Sequence, residues 1–173
     1  MDESGLDTHQ HRGKGYSPIG ETPVRELYQG TKQRVNYVAT VNQEGGVRFM
    51  TYKGSFTSAV MLIFLKRFIA NAKKKIYLIL DNLNIHKSKL IQAWVKKNSN
   101  KIAFFHLPSY SPHLNPVEYL NCDVKYAVLR QVSSRSFAGL RKKTITHLQK
   151  LQKNKNRVFK YFKNENIAYA AAA

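Results

Sequence analysis

The segment that organises this chain runs from residue 76 to residue 118 and reads IYLILDNLNIHKSKLIQAWVKKNSNKIAFFHLPSYSPHLNPVE. Its first five residues, 76–80, form an unbroken apolar run, which is typical of a strand covered on both faces in a parallel sheet. A helix-period stripe around Ile91 and Trp94 follows, and residues 102–107 form a second apolar run. This order predicts a strand–helix–strand unit with two parallel, neighbouring strands.

Two acidic residues lie next to these elements. Asp81 directly follows the first strand, and Glu118 comes three residues after Asn115 at the start of another predicted helix. Ligands of open α/β sheets gather at the carboxyl ends of strands, so both acids are candidates for a site at one edge of the sheet. Each also has a structural interpretation, because Asp81 can initiate a turn and Glu118 can complete a capping box with Asn115. The residues alone leave both interpretations open.

The charge balance of the chain points to a polyanionic partner. Its 173 residues, the size of one domain, contain 29 Lys and Arg against 10 Asp and Glu, a formal charge of +19. Nucleic acid is the first partner that such a charge suggests, and an anionic membrane surface is the second. No apolar run approaches the roughly 20 residues that span a bilayer, and the start of the sequence lacks a signal-peptide pattern. The single cysteine excludes an internal disulfide and a cysteine-based zinc cluster.

Local patterns predict the remaining elements. Alternating residues in 33–43 and 47–52 predict a hairpin with a Glu-Gly-Gly turn at 44–46. A helix capped by Thr57 or Ser58 is predicted to run to about residue 72. A last long helix, with a basic face, is predicted to begin after Ser136. By composition alone, residues 1–23 form a solvated terminus and residues 164–173 a disordered tail.

Basic residues and one histidine are candidates for phosphate contacts. His86, near a helix start, can touch phosphate, although a capping or packing role fits it equally well. The other predicted DNA contacts are basic side chains: Lys87, Arg141, Lys142 and Lys143. The usual location of lysines is solvated surface, but here their number and the scarcity of acids favour phosphate contacts.

The motifs of this chain resemble the catalytic core of DDE transposases. Asp81-Asn82 with the following Ile85-His86, and then the run LPxYSPxLNPxE over residues 107–118, are similar to the bacterial insertion-sequence branch of the mariner-like superfamily, the insertion sequence six-thirty family. The opening residues 2–5, Asp-Glu-Ser-Gly, resemble the first acidic motif of that family. The resemblance extends to about residue 130. One departure is Asn121, where the family often has an aromatic residue.

The resemblance implies a ribonuclease-H-like α/β fold, with a five-stranded mixed sheet and helices on both faces. The expected catalytic domain spans residues 1–163 and has a basic helical C-terminal part from about residue 136. In this fold the first acid lies on the central strand. That strand is therefore expected either to be built from residues 2–6 or to be truncated.

The resemblance also implies a metal-dependent reaction on DNA. Carried over residue by residue, Asp2, Asp81 and Glu118 become the catalytic triad and the metal ligands. Three carboxylates from separate elements can hold two Mg²⁺ ions about 3.5–4 Å apart, with Mn²⁺ as the expected substitute. Such ions activate an attacking water or 3′-hydroxyl and stabilise the leaving oxygen. The expected function is therefore transposon-end cleavage followed by strand transfer.

The implied partners are transposon-end and target DNA, a second copy of the chain, and an upstream helix-turn-helix polypeptide. No membrane partner is expected, and the implied location is the bacterial cytoplasm in association with the nucleoid. The chain is expected to be a truncated or split copy of the enzyme. The alternative function is a non-catalytic, basic DNA-binding remnant that interferes with a full-length transposase.

Overall fold

The structure is a computed structural model that describes residues 1–9, 16–24, 31–130 and 136–170. Its first sheet is antiparallel and has three strands in the order β1 (Asp2–Asp7), β2 (Arg34–Val41) and β3 (Val47–Tyr52). The predicted hairpin between β2 and β3 is confirmed. Its turn depends on Gly45, which has a φ of 79° and donates its N–H to the Asn42 carbonyl. Glycine adopts this backbone conformation without steric cost.

The assignment of the first residues to a solvated terminus is wrong for residues 2–7. These residues form β1 and pair with β2 along their whole length, from Asp2 opposite Ala39 to Asp7 opposite Arg34. Strand pairing satisfies the backbone groups that a solvated terminus would leave to water. Residues 10–15 of the predicted terminus lie outside the described residues.

The strand–helix–strand unit is present as predicted. After α1 (Ser58–Ile69), which is capped by the Thr57 side chain, the chain forms β4 (Ile76–Leu80), α2 (Lys89–Lys97) and β5 (Ile102–His106). Strands β4 and β5 are parallel, and their register runs from Ile76 opposite Ile102 to Leu80 opposite His106. Asp81 therefore follows β4 at the carboxyl edge of this pair.

Over the described stretches of the chain, five strands form two sheets rather than the single five-stranded sheet that was predicted. The two sheets meet where β1 begins, because the amino group of Met1 donates to the Ile79 carbonyl at 2.6 Å. Strand β1 pairs along its length with β2, and Met1, the residue before β1, makes the contact with β4. The arrangement places the start of β1 next to the end of β4, which is the region that carries Asp2 and Asp81.

Helices pack on both faces of the first sheet. Tyr37 and Ala39 of β2 lie in a core shared with α3 (Pro116–Leu129), α4 (Phe137–Lys153) and α5 (Lys155–Phe159). Val38 points to the opposite face, into a core that contains buried residues of α1, α2, β4 and β5. This alternation along β2 is the period of two expected for a strand with two covered faces.

One face of the β4–β5 pair is more open than the apolar runs predicted. Tyr77 is 65% exposed, Phe105 is 53% exposed and Ile79 is 38% exposed, while Leu78 and Leu80 are buried on the opposite face. The three exposed residues line an apolar depression of about 530 Å³ together with Tyr169. The prediction that this pair is covered on both faces is therefore wrong. Helices α1 and α2 cover only the face that carries Leu78 and Leu80.

The predicted disordered tail is also wrong for residues 165–170. They form a 3₁₀ helix, Glu165–Ala170, in which Ile167 is fully buried and the Tyr169 hydroxyl donates to the Leu114 carbonyl at 2.7 Å. The burial of Ile167 and the hydrogen bond of Tyr169 hold this segment in place, although its alanine-rich sequence does not predict a fixed structure. Residues 171–173 lie outside the described residues. Within the described ranges, the chain has no helix with the length and apolar character needed to cross a membrane.

Candidate active site

Two of the three predicted acids lie on either side of one side-chain amide. Asp2 is the first residue of β1, and Glu118 is in the first turn of α3. The amide nitrogen of Asn121 donates to Oδ2 of Asp2 at 3.0 Å and to Oε2 of Glu118 at 3.5 Å. The structure therefore brings together two acids that lie far apart in the sequence.

The cap of helix α3 fixes the position of Glu118. The side chain of Asn115 accepts the Val117 N–H at 3.1 Å, and Pro116 is the first helical residue. The predicted N-cap is therefore confirmed. The second half of the predicted capping box is not formed, because the Glu118 carboxylate accepts from Asn121 and the Asn115 N–H donates to the Pro112 carbonyl. The carboxylate of Glu118 thus turns towards β1.

Asp2 is an acid in an unfavourable environment for its charge. It is only 7% exposed, and burial raises its pKa to about 8, with further contributions from the negative charges of Glu118, Glu3 and Asp81. Desolvation and like charges both disfavour the ionised carboxylate. A bound cation would relieve this repulsion, so the pair formed by Asp2 and Glu118 has the electrostatic character of a cation site.

Asp81 lies within electrostatic reach of Asp2 but its carboxylate bonds elsewhere. Its Oδ1 accepts the Leu83 N–H at 3.2 Å and lies 3.1 Å from Nδ1 of His86. The hydrogen bond with His86 is the main reason why the pKa of Asp81 is lowered. The bond with the Leu83 N–H shows Asp81 initiating a turn, which is the structural one of the two interpretations drawn from the sequence.

The end of β4 that carries Asp81 is tied to the end of β5. The Asn82 amide donates to the Leu107 carbonyl at 2.6 Å, and the Leu107 N–H donates to the Leu80 carbonyl at 2.7 Å. The His106 ring also approaches the Asp81 carbonyl, with its Nδ1 at 3.0 Å. These bonds fix the backbone of Asp81 and leave its side chain 41% exposed.

The donor atoms suit a hard divalent cation, although the full triad is not gathered. In the parts of the chain that the structure describes, no three or more His, Cys, Asp and Glu side chains lie close enough to hold a metal ion. Mg²⁺, however, is usually held by one or two protein carboxylates and completes its shell with water and substrate oxygens. The Asp2–Glu118 pair meets that requirement for one ion, and Asp81 is the nearby acid that a larger site would recruit.

The predicted DNA contacts lie in three different settings. His86 is fully buried, so in this conformation its ring has no surface to offer a phosphate. Lys87 is exposed at the end of the 3₁₀ helix Asn84–Lys87. Arg141 and Lys142 are exposed on α4, where Lys143 is partly buried. Contact of these residues with DNA remains a prediction.

Three side chains of the site were not predicted to have a role in it. Asn121 was noted only as a departure from the family, Tyr37 only as part of a strand, and Glu3 only as part of a motif. Glu3 has a buried oxygen, Oε2, that has no hydrogen-bond partner among the residues that the structure describes, and its pKa is raised by burial and by the charge of Asp81. The acidic pair at residues 2 and 3 was the available signal for Glu3. No local pattern indicates Asn121 or Tyr37.

Comparison with known proteins identifies the family. The sequence profile of the DDE superfamily endonucleases matches residues 1–141 of the chain. The chain belongs to the DDE superfamily endonucleases. The family resemblance that we recognised in the acidic motifs is therefore confirmed for this DDE domain.

One curated relative of this DDE domain is a bacterial insertion-element protein. It is the insertion element IS630 uncharacterized 39 kDa protein of Shigella sonnei, which is 44% identical over 68 residues. The matched segment is 38% of our chain and 20% of that protein.

The DDE domain also resembles solved structures of Mos1 transposase. The Mos1 mariner paired end complex with Mn matches 99% of our chain and 54% of that chain, with a TM-score of 0.66 and 16% identity. The Mos1 transposase catalytic domain with raltegravir and Mg matches 81% and 77% of the two chains, with a TM-score of 0.55 and 16% identity. At these identities the likeness concerns the fold, which is mixed α/β. The DDE domain spans about half the length of the Mos1 chain in the paired end complex.

Proposed function

We propose that this chain is the catalytic domain of a DNA transposase and that Asp2, Asp81 and Glu118 are its metal-holding catalytic acids. The observation that carries the proposal is the meeting of Asp2 and Glu118 across the Asn121 amide, 3.0 and 3.5 Å from its nitrogen. Family membership supports the reaction class. The proposed reaction is cleavage of a phosphodiester at a transposon end, followed by transfer of that end to target DNA.

The proposed cofactor is Mg²⁺, with Mn²⁺ as a substitute, held as a pair of ions by the three acids. When bound, these ions supply Lewis acidity and neutralise charge on the scissile phosphate. The protein contributes rigid placement of the ligands. Asp2 is fixed by the β1–β2 ladder, Glu118 by the capped first turn of α3, and the Asp81 backbone by the Asn82–Leu107 bond. Positioning and electrostatic stabilisation account for most of catalysis in phosphoryl transfer.

The proposed substrate is DNA, bound by the excess of basic residues. A formal charge of +19 favours binding of a polyanion, and exposed Lys87, Arg141 and Lys142 are the proposed phosphate contacts. The Mos1 paired end complex supports DNA as the partner through the shared fold. A second copy of the chain and an upstream helix-turn-helix polypeptide for end recognition complete the proposed assembly, which would act on bacterial DNA.

The proposal is tested by nicking of DNA that carries the ends of the element. We expect the wild-type chain to nick this DNA in Mg²⁺ or Mn²⁺, and Asp81→Asn to bind it equally well without nicking. The control is Glu44→Gln, which removes a carboxylate from the exposed turn between β2 and β3 and should nick the DNA like wild type. Equal nicking by wild type and Asp81→Asn would contradict the assignment of Asp81.

A second candidate function is a non-catalytic DNA-binding protein. It is favoured by the orientation of Asp81, whose carboxylate bonds with Leu83 and His86 instead of joining Asp2 and Glu118. The same assay separates the two functions. DNA binding without any nicking by the wild-type chain, in either metal, would favour the second function.

A further inference from the structure

Asn121 is a buried amide whose hydrogen-bonding groups are all directed at polar partners around Asp2. It is 2% exposed, and it lies on α3 one turn after Glu118. Its nitrogen donates to one oxygen of Asp2 and to one oxygen of Glu118, and its own oxygen accepts the Tyr37 hydroxyl at 2.9 Å. One amide therefore joins β1, β2 and α3.

The partners of Asn121 allow only one orientation of its amide. The nitrogen end faces two carboxylates, which are hydrogen-bond acceptors, whereas a carbonyl in that place would be repelled by both. The oxygen end faces the Tyr37 hydroxyl, which is fully buried and donates. Burial raises the pKa of Tyr37, so the hydroxyl keeps the proton that it donates. Tyr37 thus holds the amide with its two N–H groups towards the acids.

The bonds of Asn121 leave coordination sites free on both carboxylates. The amide occupies Oδ2 of Asp2 and Oε2 of Glu118. The other oxygen of Asp2, Oδ1, accepts the Glu3 N–H at 2.9 Å and has a second lone pair, and the other oxygen of Glu118 is Oε1. A cation can therefore bind to these oxygens while the amide keeps the two carboxylates at a fixed separation. Without the amide, the two carboxyl groups lose the hydrogen bonds that link them.

We propose that Asn121 is a positioning residue, which sets the separation of Asp2 and Glu118 for metal binding, and that Tyr37 fixes the orientation of the Asn121 amide. This inference rests on the proposed function, since it assigns the two acids to a metal site. It assigns a role to a residue outside the acidic motifs, since the family resemblance predicts an aromatic side chain at the position of Asn121.

The experiment is calorimetric titration of the full chain with Mn²⁺, in the absence of DNA. We expect Asn121→Leu, which keeps the size of the side chain and removes its donors, to bind Mn²⁺ roughly 10–100-fold more weakly than wild type, as for other residues that support metal ligands. Tyr37→Phe should weaken binding in the same direction by a smaller factor, because the amide stays but loses its anchor.

The matched control is Tyr161→Phe. This variant likewise removes a tyrosine hydroxyl that donates a hydrogen bond, in this case to the Asp123 carboxylate at 2.6 Å, and Tyr161 packs against the same core as Tyr37. We expect it to lower the melting temperature and to leave Mn²⁺ affinity unchanged. A thermal melt of each variant shows whether it is folded, and Tyr37→Phe decides the question if Asn121→Leu does not fold.

The outcomes separate this inference from the proposed function. Wild-type affinity in folded Asn121→Leu and in Tyr37→Phe would overturn the positioning role while leaving the metal site intact. An equal loss of affinity in Tyr161→Phe would overturn it too, since the effect would then come from a loosened core. Failure of the wild-type chain to bind Mn²⁺ would overturn the proposed function and this inference with it.

Discussion

The buried ring of His86 holds the carboxylate of Asp81, with its Nδ1 3.1 Å from Oδ1 of that residue. The same Nδ1 lies 3.2 Å from the Asp81 backbone carbonyl. Both partners are acceptors, so Nδ1 carries a hydrogen and donates it. Asp81 is thus held in one orientation by a neighbour five residues further along the chain.

Two substitutions at residue 86 should have different effects. In His86→Asn the amide nitrogen takes roughly the place of Nδ1, whereas in His86→Gln it takes roughly the place of Nε2 and leaves Asp81 without its donor. We expect His86→Asn to keep most of the Mg²⁺-dependent nicking and His86→Gln to lose about tenfold or more. Equal rates in the two variants would show that the ring serves packing alone.

A second network, centred on Asp123 of α3, should govern stability in acid. Asp123 accepts hydrogen bonds from His147 Nε2 at 2.8 Å, from Arg157 Nε at 2.6 Å and from the Tyr161 hydroxyl at 2.6 Å. Burial alone would raise the pKa of Asp123, but these three donors outweigh it and hold that pKa well below its usual range. The unfolded chain therefore binds more protons than the folded chain when the pH approaches the ordinary aspartate pKa of about 3.9.

The stabilising effect of Asp123 is therefore present above about pH 4 and is lost as the pH falls further. Asp123→Asn should lower the free energy of unfolding by about 2 kcal/mol at neutral pH, measured by urea denaturation. It should also show a smaller loss of stability than wild type when the pH is lowered from 5 to 2. The control is Lys32→Ala, which removes an exposed lysine whose Nζ lies 3.8 Å from Oδ2 of buried Asp7, and which should change stability by less than about 1 kcal/mol. Parallel pH profiles of wild type and Asp123→Asn would contradict this prediction.

Asp2→Asn should stabilise the metal-free chain while abolishing nicking. Burial and the nearby carboxylate of Glu118 disfavour the charge of Asp2, and the substitution removes that cost at nearly constant shape. It also loses one hydrogen bond, because both Asp2 oxygens accept an N–H and the new amide group can accept only one of them, so the expected gain is the net of the two effects. We expect the free energy of unfolding without metal to rise by about 1 kcal/mol, as is common when a strained functional residue is replaced. Urea denaturation in the presence of a chelator measures this change. A clear loss of stability would mean that the Asp2 carboxylate is a structural element.

The basic surface of α4 should contribute to DNA binding through phosphate contacts. Replacing exposed Arg141 and Lys142 together by Gln should reduce the slope of log K against log salt by about 1.8, since each neutralised phosphate contributes about 0.9. Fluorescence anisotropy over a salt series measures the slope. The control removes the same charge from exposed Lys66 and Arg67 on α1. An unchanged slope in the α4 variant would place the DNA elsewhere.

Local rules predicted most elements of the fold. The hairpin, the strand–helix–strand unit and the cap at Asn115 depend on patterns within a few residues, and the structure has each of them. The assignment of β1 needed the motif at residues 2–5, because composition alone suggested a solvated terminus. The family resemblance supplied information that short-range patterns lack.

What could not be predicted depends on contacts between distant residues. The Asn121 amide has a role only because Asp2 and Tyr37 meet it, and no local pattern records that meeting. Likewise, the apolar runs of β4 and β5 predict buried strands but do not indicate whether one or both faces of the strand pair are covered. Tyr77 and Phe105 remain more than half exposed, because helices α1 and α2 pack on the opposite face of the β4–β5 pair, against Leu78 and Leu80.

The proposed metal site at Asp2, Asp81 and Glu118 can be observed in an anomalous difference map from crystals of this chain grown with Mn²⁺. We predict a peak bounded by the carboxylates of Asp2 and Glu118, with Asp81 contacting bound Mn²⁺ through Oδ2 while Oδ1 keeps its bond with His86. A map with no peak between Asp2 and Glu118, or a peak there without a contact from Asp81, would contradict the proposed three-acid metal site.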